Sequence, residues 1–180
     1  MIINPHKAIE QGWIKGIKNE TLQVQPNAID FTIDRVFGIN SHNTFVICND
    51  PENPNKELKQ MRGGGEMVPA EDRRTGVPFF NLLAHTSYDI LSDVYVDLPD
   101  GVAALTIIRS SFCRNGLFVT SGLYDSGFKG HVGCVLHNIV GDTKVQQGVR
   151  VGQIILIEAS SAKLYAGGWN HELGTEAPHQ

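Results

Sequence analysis

Residues Arg109–Asn138 read RSSFCRNGLFVTSGLYDSGFKGHVGCVLHN. Two arginines, Arg109 and Arg114, bracket Ser110 and Ser111 at the end of the β-rich run LTIIR. A turn there offers guanidiniums, hydroxyls and backbone N–H groups to one anion, and the planar Arg fork suits phosphate because it can hold two oxygens at once. Small serines let a polyphosphate come close to the backbone. Eleven residues after Arg114 stands Asp125, with Ser121 and Gly122 before it and Ser126, Gly127 and Phe128 after it. A carboxylate beside a phosphate site has two natural uses, holding a metal or orienting a water. The local chemistry therefore suggests metal-assisted attack of water on a phosphate ester. The plainer alternative is a surface Arg-Ser turn followed by an ordinary hairpin with a capping Asp.

Outward from this stretch, short runs rich in β-formers follow one another with turn signals between them. FFNLLAH, YDILSDVYVDL and GVAALTIIR precede it, and VRVGQIILIEA follows HVGCVLHN. Many short strands with little helix predict an all-β barrel or jelly roll. At the start, Asn4–Trp13 predicts a short helix, capped by Asn4, with Pro5 in the first turn and Ile9 and Trp13 four apart. LQVQ and IDFTIDRVF alternate as strands, which places Asp30 at a strand start. The polar segment 49–76, with its glycines, prolines and mixed charge, predicts a long loop with one helical turn. It reads either as a lid or partner-binding insertion or as a plain surface excursion. At 180 residues the chain has room for one domain, 1–180, and not comfortably for two.

Composition sets further bounds. A formal net charge of −4 argues against a general grip on nucleic acid. No apolar run is long enough to span a bilayer, and the first residues lack the layout of a secretion signal, so a cytoplasmic protein is expected. Cys48, Cys113 and Cys134 have no CxxC spacing and read as buried thiols of a reducing compartment. The pair His171-Glu172 lacks the H-x-E and P-C-x-x-C frame of zinc deaminases. His131 and His137 fall on one face of an unbroken strand and read as sheet-surface histidines.

The Arg-Ser turn and the hairpin that follows resemble the second and third motifs of the trimeric dUTPase and dCTP deaminase superfamily, R-S-S-x-x-R/K and then G-x-x-D-x-G/D-aromatic-x-G. QPNAID, Gln25–Asp30, resembles the first motif and GVRVGQIIL, Gly148–Leu156, the fourth. The opening helix followed by Q-P-x-x-x-D is similar to the deaminase branch. The resemblance implies a dUTPase-like β-barrel or jelly roll with a short N-terminal helix. It further implies a homotrimer with the site between subunits, and a deoxynucleoside triphosphate bound with Mg²⁺. In that reading Arg109, Ser110, Ser111, Arg114 and Gln153 hold the phosphates and Asp30 steadies the metal. Asp125 orients the water, Phe128 packs on the sugar, and the 119–124 hairpin, with Gly122 and Tyr124, reads the base. Arg150 is either another phosphate contact or a buried partner for a motif carboxylate. The tail 165–180, with Gly167, Gly168 and Trp169, is either a partial counterpart of the dUTPase arm that covers the base or a frayed end.

Deaminases of the superfamily carry a glutamate ten residues beyond the hairpin Asp, and here that position is Val135. The sequence therefore favours a dUTP diphosphatase, releasing pyrophosphate from dUTP and no ammonia from dCTP. A dCTP deaminase with a relocated acid, a dCTP-hydrolysing relative and a non-catalytic nucleotide sensor remain the alternatives.

Overall fold

The structure, a computed structural model, describes residues 1–175. Short β-strands dominate, as the alternating runs predict, and all helices among the described residues are brief. In chain order the elements are α1 (Pro5–Glu10), β1 (Ile14–Lys15), α2 (Glu20–Gln23), β2 (Ile29–Thr32), β3 (Arg35–Ile39), β4 (Val46–Asn49), β5 (Glu57–Gln60), β6 (Gly64–Glu66) and β7 (Ala70–Glu71). There follow β8 (Pro78–Leu82), β9 (Thr86–Asp97), β10 (Val102–Ile108), α3 (Ser110–Cys113), β11 (Leu117–Thr120), β12 (Lys129–Asn138), β13 (Thr143–Gln146) and β14 (Arg150–Glu158).

One sheet runs β11-β12-β9-β3-β6, with β1 added to β9, and a second runs β10-β14-β2. A third, β13-β8-β7, and the isolated hairpin β4-β5 complete the set. The buried residues form one cluster drawn from the first three sheets, including Phe31, Phe80, Ile90, Val94, Leu136, Ile154 and Leu156. Alternation in β12 is strict, with every second side chain from Gly130 to Asn138 buried and the intervening ones half-exposed. That period of two buries one face against the core and leaves the other for a site. Strand β2 instead buries all four of its residues, because it is covered on both faces.

Several sequence expectations need correction. The first helix ends at Glu10, since Gly12 adopts φ +72 and turns the chain out of the helix. LQVQ is not a strand: the Asn19 side chain accepts from the Leu22 N–H and caps the short helix α2 instead. The 49–76 segment is not a long loop. It contributes the end of β4 and all of β5, β6 and β7, with Gly64 and Gly65 serving as strand residues in β6. Gly64 is required there, because a Cβ would lie 2.0 Å from the Gly38 carbonyl oxygen across the pair. Among the cysteines only Cys134 is buried, while Cys48 on the hairpin and Cys113 on α3 are exposed. The turn after LTIIR is a single helical turn, α3. No helix among the described residues is long and apolar enough to cross a membrane.

Candidate functional site

The residues singled out by sequence gather in two places. The first is built on the β10-β14-β2 sheet, with β14 in the middle. Its register sets Gln153 opposite Asp30 on one side and opposite Ile107 on the other. Asp30 is 1% exposed, and a carboxylate buried that deeply requires compensation. Gln153 Nε2 donates to its Oδ1 at 2.9 Å and an Arg150 N–H to its Oδ2 at 2.9 Å, while Arg109 Nε lies 3.4 Å from Oδ2. Arg109 also donates to the Arg150 backbone carbonyl at 2.9 Å, which ties its guanidinium to β14. Of the two roles left open for Arg150, the structure shows the ion pair with the motif carboxylate.

Gly152 makes this sheet possible. A Cβ there would stand 2.3 Å from the Phe31 ring and 2.8 Å from the Ile107 carbonyl oxygen. Just past Arg109, helix α3 leaves Ser110, Ser111 and Arg114 exposed. Arg109 and Arg150 each keep 27% of the side chain exposed, so two cations, one buried anion and two free-standing hydroxyls form a locally positive face. Such a face suits an anion with several oxygens.

A protein-held Mg²⁺ does not fit here. Both Asp30 oxygens already accept from cationic or amide donors, and no group of three His, Cys, Asp or Glu side chains among the described residues is placed to hold a metal. Mg²⁺ of the usual kind keeps water and binds through one or two carboxylates together with substrate phosphates, and Asp30 has no oxygen that is not already accepting a hydrogen bond.

The second place is a cavity of about 330 Å³ on the exposed face of β9, β11 and β12, beneath the 121–128 connection and the tail. Gly122, Tyr124, Phe128 and Trp169 border it. Tyr124 is 7% exposed; its backbone bridges to Ala104 and its hydroxyl donates to the Gly133 carbonyl, so it anchors the hairpin. Burial pushes its phenol well above the ordinary range, with the Cys134 and Asp89 charges adding to the effect. Phe128 is packed edge-on between Tyr124 and Tyr165, with ring centroids 5.2 and 5.4 Å away. Asp125 is not in this cavity. It is exposed and lines a separate hollow with Ser126, Lys163 and Leu164.

Asp89 is the residue that sequence reasoning missed. Strand register puts Thr120 opposite Val135 and Val135 opposite Asp89, and all three line the cavity. The carboxylate that position 135 lacks thus stands on the neighbouring strand at the same level. Its charge, after burial itself, helps raise the Cys134 thiol. The signal in the sequence was faint: Asp89 sits on the half-exposed face of YDILSDVYVDL, but only the register with β12 brings it to Val135.

The tail is docked. Tyr165 N–H donates to the Ser126 carbonyl, His171 N–H to the Lys129 carbonyl, and Lys129 N–H to the Asn170 side chain. Residues 176–180, the rest of the tail named from sequence, lie outside the described residues.

A dCTP deaminase-like family model matches residues 90–159, the span that contains the Arg-Ser turn, the hairpin and β14. A dUMP-forming dCTP deaminase from Thermobifida fusca is 31% identical over 159 residues, covering 86% of this chain and 74% of that one. The chain belongs to the dUTPase and dCTP deaminase superfamily. Among other superfamily members, a probable deoxyuridine 5'-triphosphate nucleotidohydrolase from Methanopyrus kandleri is 25% identical over 146 residues, covering 81% of this chain and 86% of that one. The fold is shared with a deaminase of 2'-deoxycytidine 5'-triphosphate from Agrobacterium tumefaciens, with a TM-score of 0.62 at 15% identity, over 88% of this chain and 48% of that one. The superfamily's named enzymes act on deoxynucleoside triphosphates, and the architecture, mostly β with a jelly-roll arrangement, is theirs.

Proposed function

We propose that this chain deaminates dCTP. The observation that carries the reading is the Asp89 carboxylate in the cavity, one strand away from Val135. Attack of water on the cytosine ring needs a proton delivered to the ring nitrogen and another to the departing amine. Asp89 is the acid placed to move both; Thr120 and the exposed backbone of Ser121 and Gly122 offer fixed donors and acceptors for the base edge. Asp30, Gln153, Arg109 and Arg150 organise the face on which Ser110, Ser111 and Arg114 meet the triphosphate. The relatives' names lend further support. From sequence, hydrolysis of dUTP ranks first because Val135 carries no proton; an acid arriving from β9 reverses that order.

The second reading, release of pyrophosphate, rests on Asp125, exposed on the hairpin and able to orient a water toward a phosphate. It is compatible with the first in one protein, since the two carboxylates occupy different hollows. Phe128 lines the cavity that holds Asp89, so its packing against the sugar belongs to either reading.

The test is an ammonia assay on dCTP beside a pyrophosphate assay on dUTP, for the wild type, Asp89→Asn and Asp125→Asn. Ammonia release is expected from the wild type and should fall by about 10²–10⁴ in Asp89→Asn, the range for losing a general acid-base group, with nucleotide binding retained. Asp125→Asn should suppress pyrophosphate release instead. A wild type that yields pyrophosphate from dUTP and no ammonia from dCTP overturns the deaminase assignment in favour of the second.

A further inference from the structure

The tail reaches the cavity through one side chain whose hydrogen-bonding state is fixed on both sides. His171 Nε2 faces the backbone N–H of His131 at 3.2 Å, and its Nδ1 faces the Trp169 carbonyl at 3.1 Å. A backbone N–H can only donate and a carbonyl can only accept. The docked ring is therefore the neutral tautomer with its proton on Nδ1. The close seat is prepared in the sequence, since a Cβ at Gly130 would meet the His171 ring at 2.9 Å.

We propose that His171 is the positioning residue that holds Trp169 at the mouth of the cavity, and that protonation of this imidazole releases the strap. A proton on Nε2 would point at the His131 N–H, replacing a hydrogen bond by two opposed donors. The inference concerns closure of the cavity and does not depend on which reaction the cavity performs.

The groups around the ring fit the device. From β12, His131 stacks on His171 with centroids 5.5 Å apart, and its Nδ1 donates to the Ser92 carbonyl at 3.0 Å. Burial is the largest influence on His131 and holds it below the usual imidazole range. From β9, Tyr95 lies edge-on to His171 and donates its hydroxyl to the His171 carbonyl at 2.7 Å. Asp97 is engaged by Lys15 and Lys129 at 3.6 and 3.3 Å, and Asp93 by Lys18. Glu172 is exposed beside the strap. Among the described residues, no carboxylate is recorded in a hydrogen bond or ion pair with the His171 ring that would reward its charge.

The chain has two tryptophans, Trp13 and Trp169, which permits a direct readout. Protein grown with 5-fluorotryptophan gives two fluorine resonances, assigned by Trp169→Phe, and these are followed from pH 8 to pH 5, where imidazoles titrate. The Trp169 resonance should shift with a single inflection while that of Trp13 stays in place. His171→Gln replaces the ring with an acceptor that does not titrate, and should remove the inflection at whichever limiting position the resonance takes. His131→Gln should retain it. A flat wild-type titration, an inflection that survives in His171→Gln, or one that disappears only in His131→Gln would each overturn the proposal.

Discussion

Asp34 and Asp93 stand close together, with Lys18 Nζ reaching Asp93 at 2.5 Å. Burial, then a hydrogen bond and repulsion from Asp93, raise the Asp34 carboxyl above the ordinary range, while Lys18 and Arg35 oppose the shift. A carboxyl raised in the folded state favours folding while it is protonated, and that contribution is lost as pH rises through the folded value. At neutral pH its ionised form therefore works against the fold. Asp34→Asn keeps a donor toward Asp93 without the charge, so it should raise Tm at pH 7, and the gain should vanish near pH 4; thermal melts at both values decide it. Asp30 teaches the opposite lesson about buried carboxylates, because two guanidiniums and an amide compensate it fully. Its involvement in a site was legible from QPNAID. Of its partners, pairing with Arg150 was one of two roles the sequence left open, whereas Arg109 and Gln153 were read as phosphate contacts, because only the strand register brings them to the carboxylate.

At the scale of elements, runs rich in β-formers with turn signals between them announced β8, β9, β10, β12 and β14, because both signals are local. The segment 49–76 was unreadable for the converse reason. β4 and β5 are exposed along their whole length, so no hydrophobic face marks them, and β6 is built of glycine and glutamate. Backbone pairing makes them strands, helped in β6 by the ion pair of Glu66 with Arg35. Register was also out of reach: a shift of one residue between β9 and β12 would turn Asp89 to the core and leave the cavity without its acid. Glycines give a direct check on close packing between elements. Gly152→Ala forces a methyl group into the Phe31 ring and should cost about 1–3 kcal/mol, the usual penalty for overpacking, whereas Gly122→Ala, with nothing within 4 Å, should stay within about 0.5 kcal/mol. Denaturant titrations of the two variants measure the difference.

Across the whole molecule, the cavity and the cationic face do not meet in one copy. No Arg or Lys lines the cavity among the described residues, yet a triphosphate needs cations near the base it carries. We propose that a neighbouring copy supplies them within a homotrimer, as the resemblance implies. Mixing Asp89→Asn with Arg109→Ala protein should then restore part of the activity that each lacks, with a trimer seen by light scattering. No recovery on mixing, or a monomer at assay concentration, would sink this arrangement.

Cys134 is packed beneath Asp89 and Tyr124, with its thiol pushed far from ionisation, while Cys48 and Cys113 face solvent. A thiol-reactive dye too bulky for the cavity that Cys134 borders consequently finds two sites on a folded chain and a third only when β12 has left its neighbours. Mass counting of attached labels over time thus turns one silent cysteine into a clock for opening of the barrel, with no substitution required.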